Sequence, residues 1–231
     1  MSLSQAERAN RLTVPAPAYA GATPVASNPV VAYKDDVLSV AECAQIVQLA
    51  LGQLKRARVS LDRESVVSDG RSGSNCWLRY EDHAIVKEIG ERVADIVQIP
   101  LSHAESLQVV HYAEAQEYRS HYDAYDLRTE RGQRCCAKGG QRLVTGLIYL
   151  NTVKQGGGTA FPKLGVEVEP KMGRLVVFQN TGKSILTAHP DSLHAGQPVI
   201  EGEKWACNIW FRAEPRTTLI DFAKLLKASE P

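Results

Sequence analysis

Between Ser106 and Arg212 the chain is written almost entirely in short apolar runs separated by turns, and this series restricts the fold more than any other feature. The runs are Ser106–Tyr112, Tyr118–Asp123, Leu143–Leu150, Thr159–Phe161, Val166–Glu169, Gly173–Phe178 and Lys204–Arg212. Each suits a strand, and Gly156-Gly157-Gly158 marks a turn between two of them. Helical spacing appears in front of the series. Ser39-Val40-Ala41-Glu42 is a capping box, and the helix it opens is expected to reach about Leu54, with Cys43, Ile46, Val47, Leu49, Ala50 and Leu54 on its apolar face. A second helix is predicted from about Asp82 to Val97, with Ile85, Val86, Ile89, Val93 and Ile96 at three- and four-residue steps and Pro100 as its stop. A last helix is expected over Thr218–Lys227. Strands following helices predict a mainly β fold, a two-sheet sandwich or jelly roll, with the helices supporting one face.

A chain of 231 residues with 44% hydrophobic content suits one domain with a sizeable core. Residues 1–29, rich in Ala, Pro, Ser and Thr without apolar periodicity, read as a flexible leader, and residues 30–231 as the domain, opening on a strand at Val30–Tyr33. A net charge of +1 gives no reason to expect nucleic acid or an anionic membrane as partner. No run approaches the ~18–20 apolar residues of a membrane span, and Glu7, Arg8 and Arg11 interrupt any signal-peptide pattern. Five cysteines, an odd number at scattered spacings, predict reduced thiols and a cytoplasmic location. Cys135-Cys136 has no CxxC or Cys/His complement and reads as ordinary loop cysteines. The basic run Arg128–Arg142 reads as a solvated loop, in preference to a lid over a substrate.

One stretch carries chemistry. His121-Tyr122-Asp123 ends a strand-like segment, and on a strand His121 and Asp123 share a face. An imidazole and a carboxylate are ligands of mixed hardness that suit divalent iron, and His194 in Leu193-His194-Ala195-Gly196 is the best third ligand. Two His and one carboxylate on one side of a metal leave three positions open, the facial triad of non-haem Fe(II) oxygenases. Lys204, ten residues after His194, enters a strand that would run beside this metal. It reads either as a turn lysine in water or as the anchor of an anionic cosubstrate.

The order Tyr112, Tyr118-x-x-His121-x-Asp123, Leu147-Ile-Tyr149-Leu-Asn151, Gly157-Gly-Thr-Ala-Phe-Pro162, Pro170-x-x-Gly173-Arg-Leu-Val-Val-Phe178, Leu193-His194-Ala-Gly-x-Pro-Val199 and Gly202-x-Lys204-Trp205 resembles the prolyl 4-hydroxylase family of Fe(II)- and 2-oxoglutarate-dependent dioxygenases. With Arg71-Ser-Gly-Ser74, Glu105-x-x-Gln108 and the helices, the resemblance spans roughly residues 32–213. Two departures stand out. Ala115-Gln116 lies where the family often has Gly-Gln, and a long basic segment follows Asp123.

The resemblance implies a double-stranded β-helix core, with His121, Asp123 and His194 as iron ligands and Lys204 on the distal carboxylate of 2-oxoglutarate. Tyr112 and Tyr149 match positions whose phenols can line that pocket, although each also reads as a core tyrosine. Arg71 and Trp77 lie on the loop that approaches substrate, and Tyr125 on the opposing one. The implied reaction is hydroxylation of an unactivated C–H bond, a peptidyl proline at C4 first, with O2 consumed and 2-oxoglutarate decarboxylated to succinate and CO2. Ascorbate is the expected reductant. A free amino acid or other small molecule is the alternative substrate, and a non-catalytic jelly-roll module is the remote alternative. That module would have no use for Lys204; if Lys204 is not the anchor, Arg212 is the next residue to test.

Overall fold

Alternation along the strands sorts the apolar residues into two layers, and these layers generate the architecture. The computed structural model describes residues 18–60, 65–67 and 70–227. In chain order the strands are β1 (Thr23–Ser27), β2 (Val30–Lys34), β3 (Lys55–Arg56), β4 (Arg58–Ser60), β5 (Ser65–Val67), β6 (Ser74–Leu78), β7 (Leu107–Tyr112) and β8 (Tyr118–His121). They continue with β9 (Arg142–Tyr149), β10 (Gln155–Gly156), β11 (Thr159–Phe161), β12 (Val166–Val168), β13 (Leu175–Gln179), β14 (His194–Gly196), β15 (Val199–Glu201) and β16 (Lys204–Arg212). The α-helices are α1 (Val40–Ala50), α2 (Ala84–Val97), α3 (Glu130–Cys136) and α4 (Phe222–Lys227).

An eight-stranded antiparallel sheet in the order β1-β2-β13-β9-β16-β7-β6-β3 faces a four-stranded sheet in the order β12-β11-β14-β8. Short pairs β10–β15 and β4–β5 complete the strands described. In the large sheet Val109, Ile148, Leu175, Val177, Cys207 and Ile209 point to one side and pack with Ile46 of α1 and Ile89 and Val93 of α2. Their neighbours Val110, Tyr149, Val176, Phe178 and Ala206 point to the other side and meet Phe161 of the small sheet. This is the expected mainly β jelly roll with helices on one face. Burying each large apolar side chain in these layers is worth roughly 1.5–3 kcal/mol.

The helices follow the sequence closely. Ser39 Oγ accepts from the Glu42 amide at 3.2 Å while Glu42 Oε2 accepts from the Ser39 amide at 2.7 Å, so both halves of the capping box form. Glu42 also pairs with Arg92 of α2 at 2.7 Å, tying the two helices together. Helix α1 stops at Ala50 rather than near Leu54, because Gly52 takes φ +82°, a left-handed turn that a helix cannot pass. Helix α4 is shorter than expected, beginning at Phe222.

Three expectations need correction. The leader was drawn to residue 29, and residues 1–17 lie outside those described. Tyr19, however, is buried and β1 pairs with β2 from Thr23 onward. Pro24 masked this strand in the sequence, yet an edge strand tolerates proline because its outer N–H needs no partner. The basic run Arg128–Arg142 is not simply a solvated loop. It contains α3, capped by Thr129 Oγ1 accepting from the Gly132 amide at 3.0 Å, with Cys136 buried beneath it. Arg142 is the first residue of β9, and its guanidinium meets the buried Glu105 carboxylate at 2.6 Å. Finally, β8 ends at His121, so Asp123 lies beyond the strand rather than on it.

Ala115, at the position of the missing turn glycine, has φ +64°. A left-handed backbone costs an L-residue roughly 1–2 kcal/mol, and glycine would return part of that as unfolded-state entropy. Ala115→Gly is therefore expected to raise stability by up to about 1 kcal/mol in urea unfolding, whereas Ala115→Val should lower it.

Candidate metal centre

The two sheets bring three ligand-bearing residues to one end of the sandwich. β14 pairs with β8 so that His194 lies directly opposite His121, with ring centroids 4.3 Å apart. Asp123, carried past the end of β8, closes the triangle. Its Oδ1 is 3.6 Å from His121 Nε2 and its Oδ2 is 3.6 Å from His194 Nε2. One ligand atom from each residue falls within 4.8 Å of the others. Among the described residues this is the one such group of three His, Cys, Asp or Glu side chains.

Each imidazole is set for metal binding by its far nitrogen. His121 Nδ1 donates to the Arg119 carbonyl at 2.8 Å and His194 Nδ1 to the Ser192 carbonyl at 3.0 Å, which leaves both Nε2 lone pairs facing the centre. Stacking on Tyr118 at 3.6 Å fixes the His121 ring, and Phe178 lies 4.5 Å from the His194 ring. Burial, and then His194, push the His121 imidazole down to about 3, so it is neutral and able to ligate at ordinary pH. For Asp123, burial opposes ionisation, but the facing His194 and His121, then Arg142 and the Trp210 N–H, outweigh it and bring the carboxyl down to about 2. Two imidazoles and one carboxylate form a donor set that fits divalent iron.

A partly open pocket adjoins the triad. Alternate residues of the central strands line it: Val110 and Tyr112 from β7, Leu147 from β9, Phe178 from β13, and Lys204, Asn208 and Trp210 from β16. Lys204 is 3% exposed, and no carboxylate lies within ion-pair distance of it among the described residues. Its ammonium lies over the rings of Tyr149 at 5.1 Å and Tyr112 at 5.9 Å. Burial pushes it from the ordinary 10.5 down to about 7, only weakly opposed by Glu167. A buried cation without a counter-charge is costly, and an anion entering the pocket would relieve it. Of the two readings of Lys204, the turn lysine with its head in water does not hold.

The other expected residues divide. Arg71 is buried, lines the pocket, donates to Gln108 at 2.9 Å and covers the Tyr118 ring. Trp77 remains 44% exposed and packs on Trp210 with centroids 5.8 Å apart. Tyr149 does not line the pocket with its hydroxyl, which is bound to Thr159 Oγ1 at 2.6 Å and to the Val168 carbonyl. It is thus the core tyrosine of the two readings. Tyr125 lies under Arg131 and Arg142, away from the pocket lining. Arg212 cannot replace Lys204 as an anchor, because Glu105 holds it at 2.7 Å. No disulfide joins any of the five cysteines. Sequence reasoning missed Thr145 and Trp210, which bond Asp123, and Asn180, which bonds Thr145. A threonine in the middle of the apolar run Leu143–Leu150 was the signal available.

The chain matches the family model of the 2OG-Fe(II) oxygenase superfamily over residues 107–212. It is 35% identical over 178 residues, 77% of this chain and 72% of the other, to a protein of Acanthamoeba polyphaga mimivirus provisionally named a prolyl 4-hydroxylase. It is 32% identical over 213 residues to prolyl 4-hydroxylase 2 of Arabidopsis thaliana, covering 82% of this chain and 69% of that one. Among solved structures, the viral collagen prolyl hydroxylase of Paramecium Bursaria Chlorella virus-1, in its 2OG complex, superimposes with a TM-score of 0.61. That alignment has 26% identity and covers 79% of this chain and 95% of that chain.

Replacing His121, Asp123 or His194 singly by Ala is expected to abolish stoichiometric binding of a divalent metal, measured on dialysed protein by metal analysis. Asp123→Glu should also be severe, since its extra methylene displaces the ligand oxygen by about 1 Å and misplacement on that scale is costly.

Proposed function

This chain belongs to the prolyl 4-hydroxylase family of 2-oxoglutarate- and Fe(II)-dependent dioxygenases, and from that premise we propose that it hydroxylates a prolyl residue of a peptide or protein at C4. The cosubstrates are O2 and 2-oxoglutarate, the latter released as succinate and CO2, with ascorbate as the supporting reductant. When bound, Fe(II) supplies the chemistry that couples this decarboxylation to oxidation of a C–H bond. His121, Asp123 and His194 hold it.

The observation that carries this reading is the buried, unpaired Lys204 ammonium in the same pocket as the triad. It takes the distal carboxylate of 2-oxoglutarate in a charge-assisted hydrogen bond, strengthened because water is largely excluded. Val110, Leu147 and Phe178 make the surrounding wall apolar and limit water at the reacting end. Tyr112 lines the pocket near the same ammonium and orients the cosubstrate with it. A peptide substrate is supported by the pocket's open mouth, with the exposed Trp77 packed against the pocket residue Trp210, and by likeness to an enzyme named for collagen. Arg71 reaches the same space and is a second contact for substrate.

Lys204→Ala is expected to raise the 2-oxoglutarate requirement roughly 10- to 150-fold, the equivalent of a 1.5–3 kcal/mol contact, with metal binding little changed. A bound carboxylate draws the proton back onto Lys204. Above pH 7 binding must therefore take up a proton, and 2-oxoglutarate affinity should fall about tenfold per pH unit. A flat titration series from pH 6 to 9 would show that Lys204 keeps its proton without ligand, whereas an unchanged 2-oxoglutarate titration in Lys204→Ala would remove it as the anchor. For the substrate, proline-containing peptides, proline-free peptides and free amino acids should be compared by mass spectrometry for gain of one oxygen. Oxygen is expected on the proline-containing peptides, and a product only on a free amino acid would redirect the substrate assignment.

A further inference from the structure

We propose that Thr145, Trp210 and Asn180 are positioning residues for the ligand Asp123: Thr145 and Trp210 hold its Oδ2, Asn180 sets the direction of the Thr145 hydrogen bond, and Oδ1 is left for the metal. This deepens the Fe(II) reading above and rests on it. Oδ2 accepts from Thr145 Oγ1 at 2.7 Å and from Trp210 Nε1 at 2.8 Å. A carboxylate oxygen offers about two lone-pair sites, so both are taken.

The direction of each bond is fixed. An indole N–H can only donate. Its ring is held by the Arg142 guanidinium 4.0 Å above it, which Glu105 holds in turn at 2.6 Å. A threonine hydroxyl could point either way, but Asn180 Nδ2 donates to Thr145 Oγ1 at 2.8 Å, so the hydroxyl proton goes to Asp123. Asn180 is fully buried, and its backbone is fastened to Leu143, His189 and Ser192. Its Oδ1 is buried with no partner among the described residues, so the bond to Thr145 is the one seen to orient the amide. Keeping a buried carbonyl unsatisfied is costly, which argues that the donor end is retained for this contact.

The consequence is chemical. A carboxylate with both oxygens free can chelate a metal, and a second oxygen would occupy one of the three positions that a two-His, one-carboxylate set leaves open. Thr145, Trp210 and Asn180 are positioning residues that keep those positions available to the cosubstrates.

The test uses the full chain loaded with Co(II), which is stable in air and reports its coordination by visible absorption. Thr145→Val removes the donor without changing side-chain size, and Thr145→Ser keeps it. Asn180→Asp substitutes an acceptor, which turns the Thr145 proton away from Asp123. Trp210→Phe removes the other donor while keeping a ring. Thr145→Val, Asn180→Asp and Trp210→Phe are expected to alter the Co(II) spectrum before 2-oxoglutarate is added and to weaken its binding about 10-fold or more. Thr145→Ser should match wild type in both. Thermal unfolding identifies any variant that fails to fold, and the remaining ones decide. If the folded donor-deficient variants keep the wild-type spectrum and titration, the positioning role of Thr145, Trp210 and Asn180 is overturned. If Co(II)-loaded wild type itself does not bind 2-oxoglutarate, the underlying Fe(II) reading fails instead.

Discussion

Strict two-residue alternation along β7, β9, β13 and β16 is the constraint from which the rest of the molecule follows. One set of side chains builds the layer under α1 and α2, and the set between them builds the pocket floor. A slip of one residue in any of these strands would send its pocket residues into the helix layer and its core residues into the pocket. The helices therefore matter to the chemistry without approaching it. By demanding an apolar partner at Val109, Ile148, Val177 and Ile209, they hold the register that turns Val110, Leu147, Phe178 and Trp210 toward the metal centre.

In and beside that floor lie charges that an ordinary core would reject. Glu105 is shared between Arg142 and Arg212, and the guanidinium of Arg142, then that of Arg212, overcomes burial to hold its carboxyl at about 2. One carboxylate against two guanidiniums leaves this cluster net positive, but each charge has a partner, and removing Glu105 would strand two buried cations. Lys204 is different, since no carboxylate lies within ion-pair distance of it among the described residues. The displacement of its pKa from 10.5 to about 7 corresponds to a cost on the order of 5 kcal/mol for the protonated, ligand-free state. The unfolded chain binds the extra proton between pH 7 and 10.5, so the penalty is full below 7 and fades as pH rises. A folded protein carrying such a residue is poised for an anion, and ligand binding and folding are coupled through it.

Around Asp123 the polar groups form a directed network rather than a collection of contacts. It runs from Asn180 through Thr145 to the carboxylate on one side and from Glu105 through Arg142 and Trp210 on the other. Both arms end on the same oxygen. Low local dielectric strengthens each bond and raises the cost of leaving any of them unmade, which gives the ligand set one geometry.

By itself the sequence determined the strand series, both supporting helices and the Ser39–Glu42 cap, because these depend on local periodicity and on hydrogen bonds within a few residues. The motifs His121-x-Asp123, His194 and Lys204 were legible through their order and their resemblance to a family, although Asp123 proved to lie past the strand that was to carry it. Only tertiary structure could decide how the two sheets bring His194 opposite His121, because that contact depends on the register of strands far apart in the chain. The same is true of Tyr149, whose hydroxyl is claimed by Thr159, and of Arg142, claimed by Glu105. Thr145, Asn180 and Trp210 carry no spacing signal, since Thr145 and Trp210 meet at one Asp123 oxygen and Asn180 meets Thr145, all from distant parts of the chain. Pro24 hid an edge strand for the opposite reason. Local propensity argued against it, and pairing with β2 overrode that propensity.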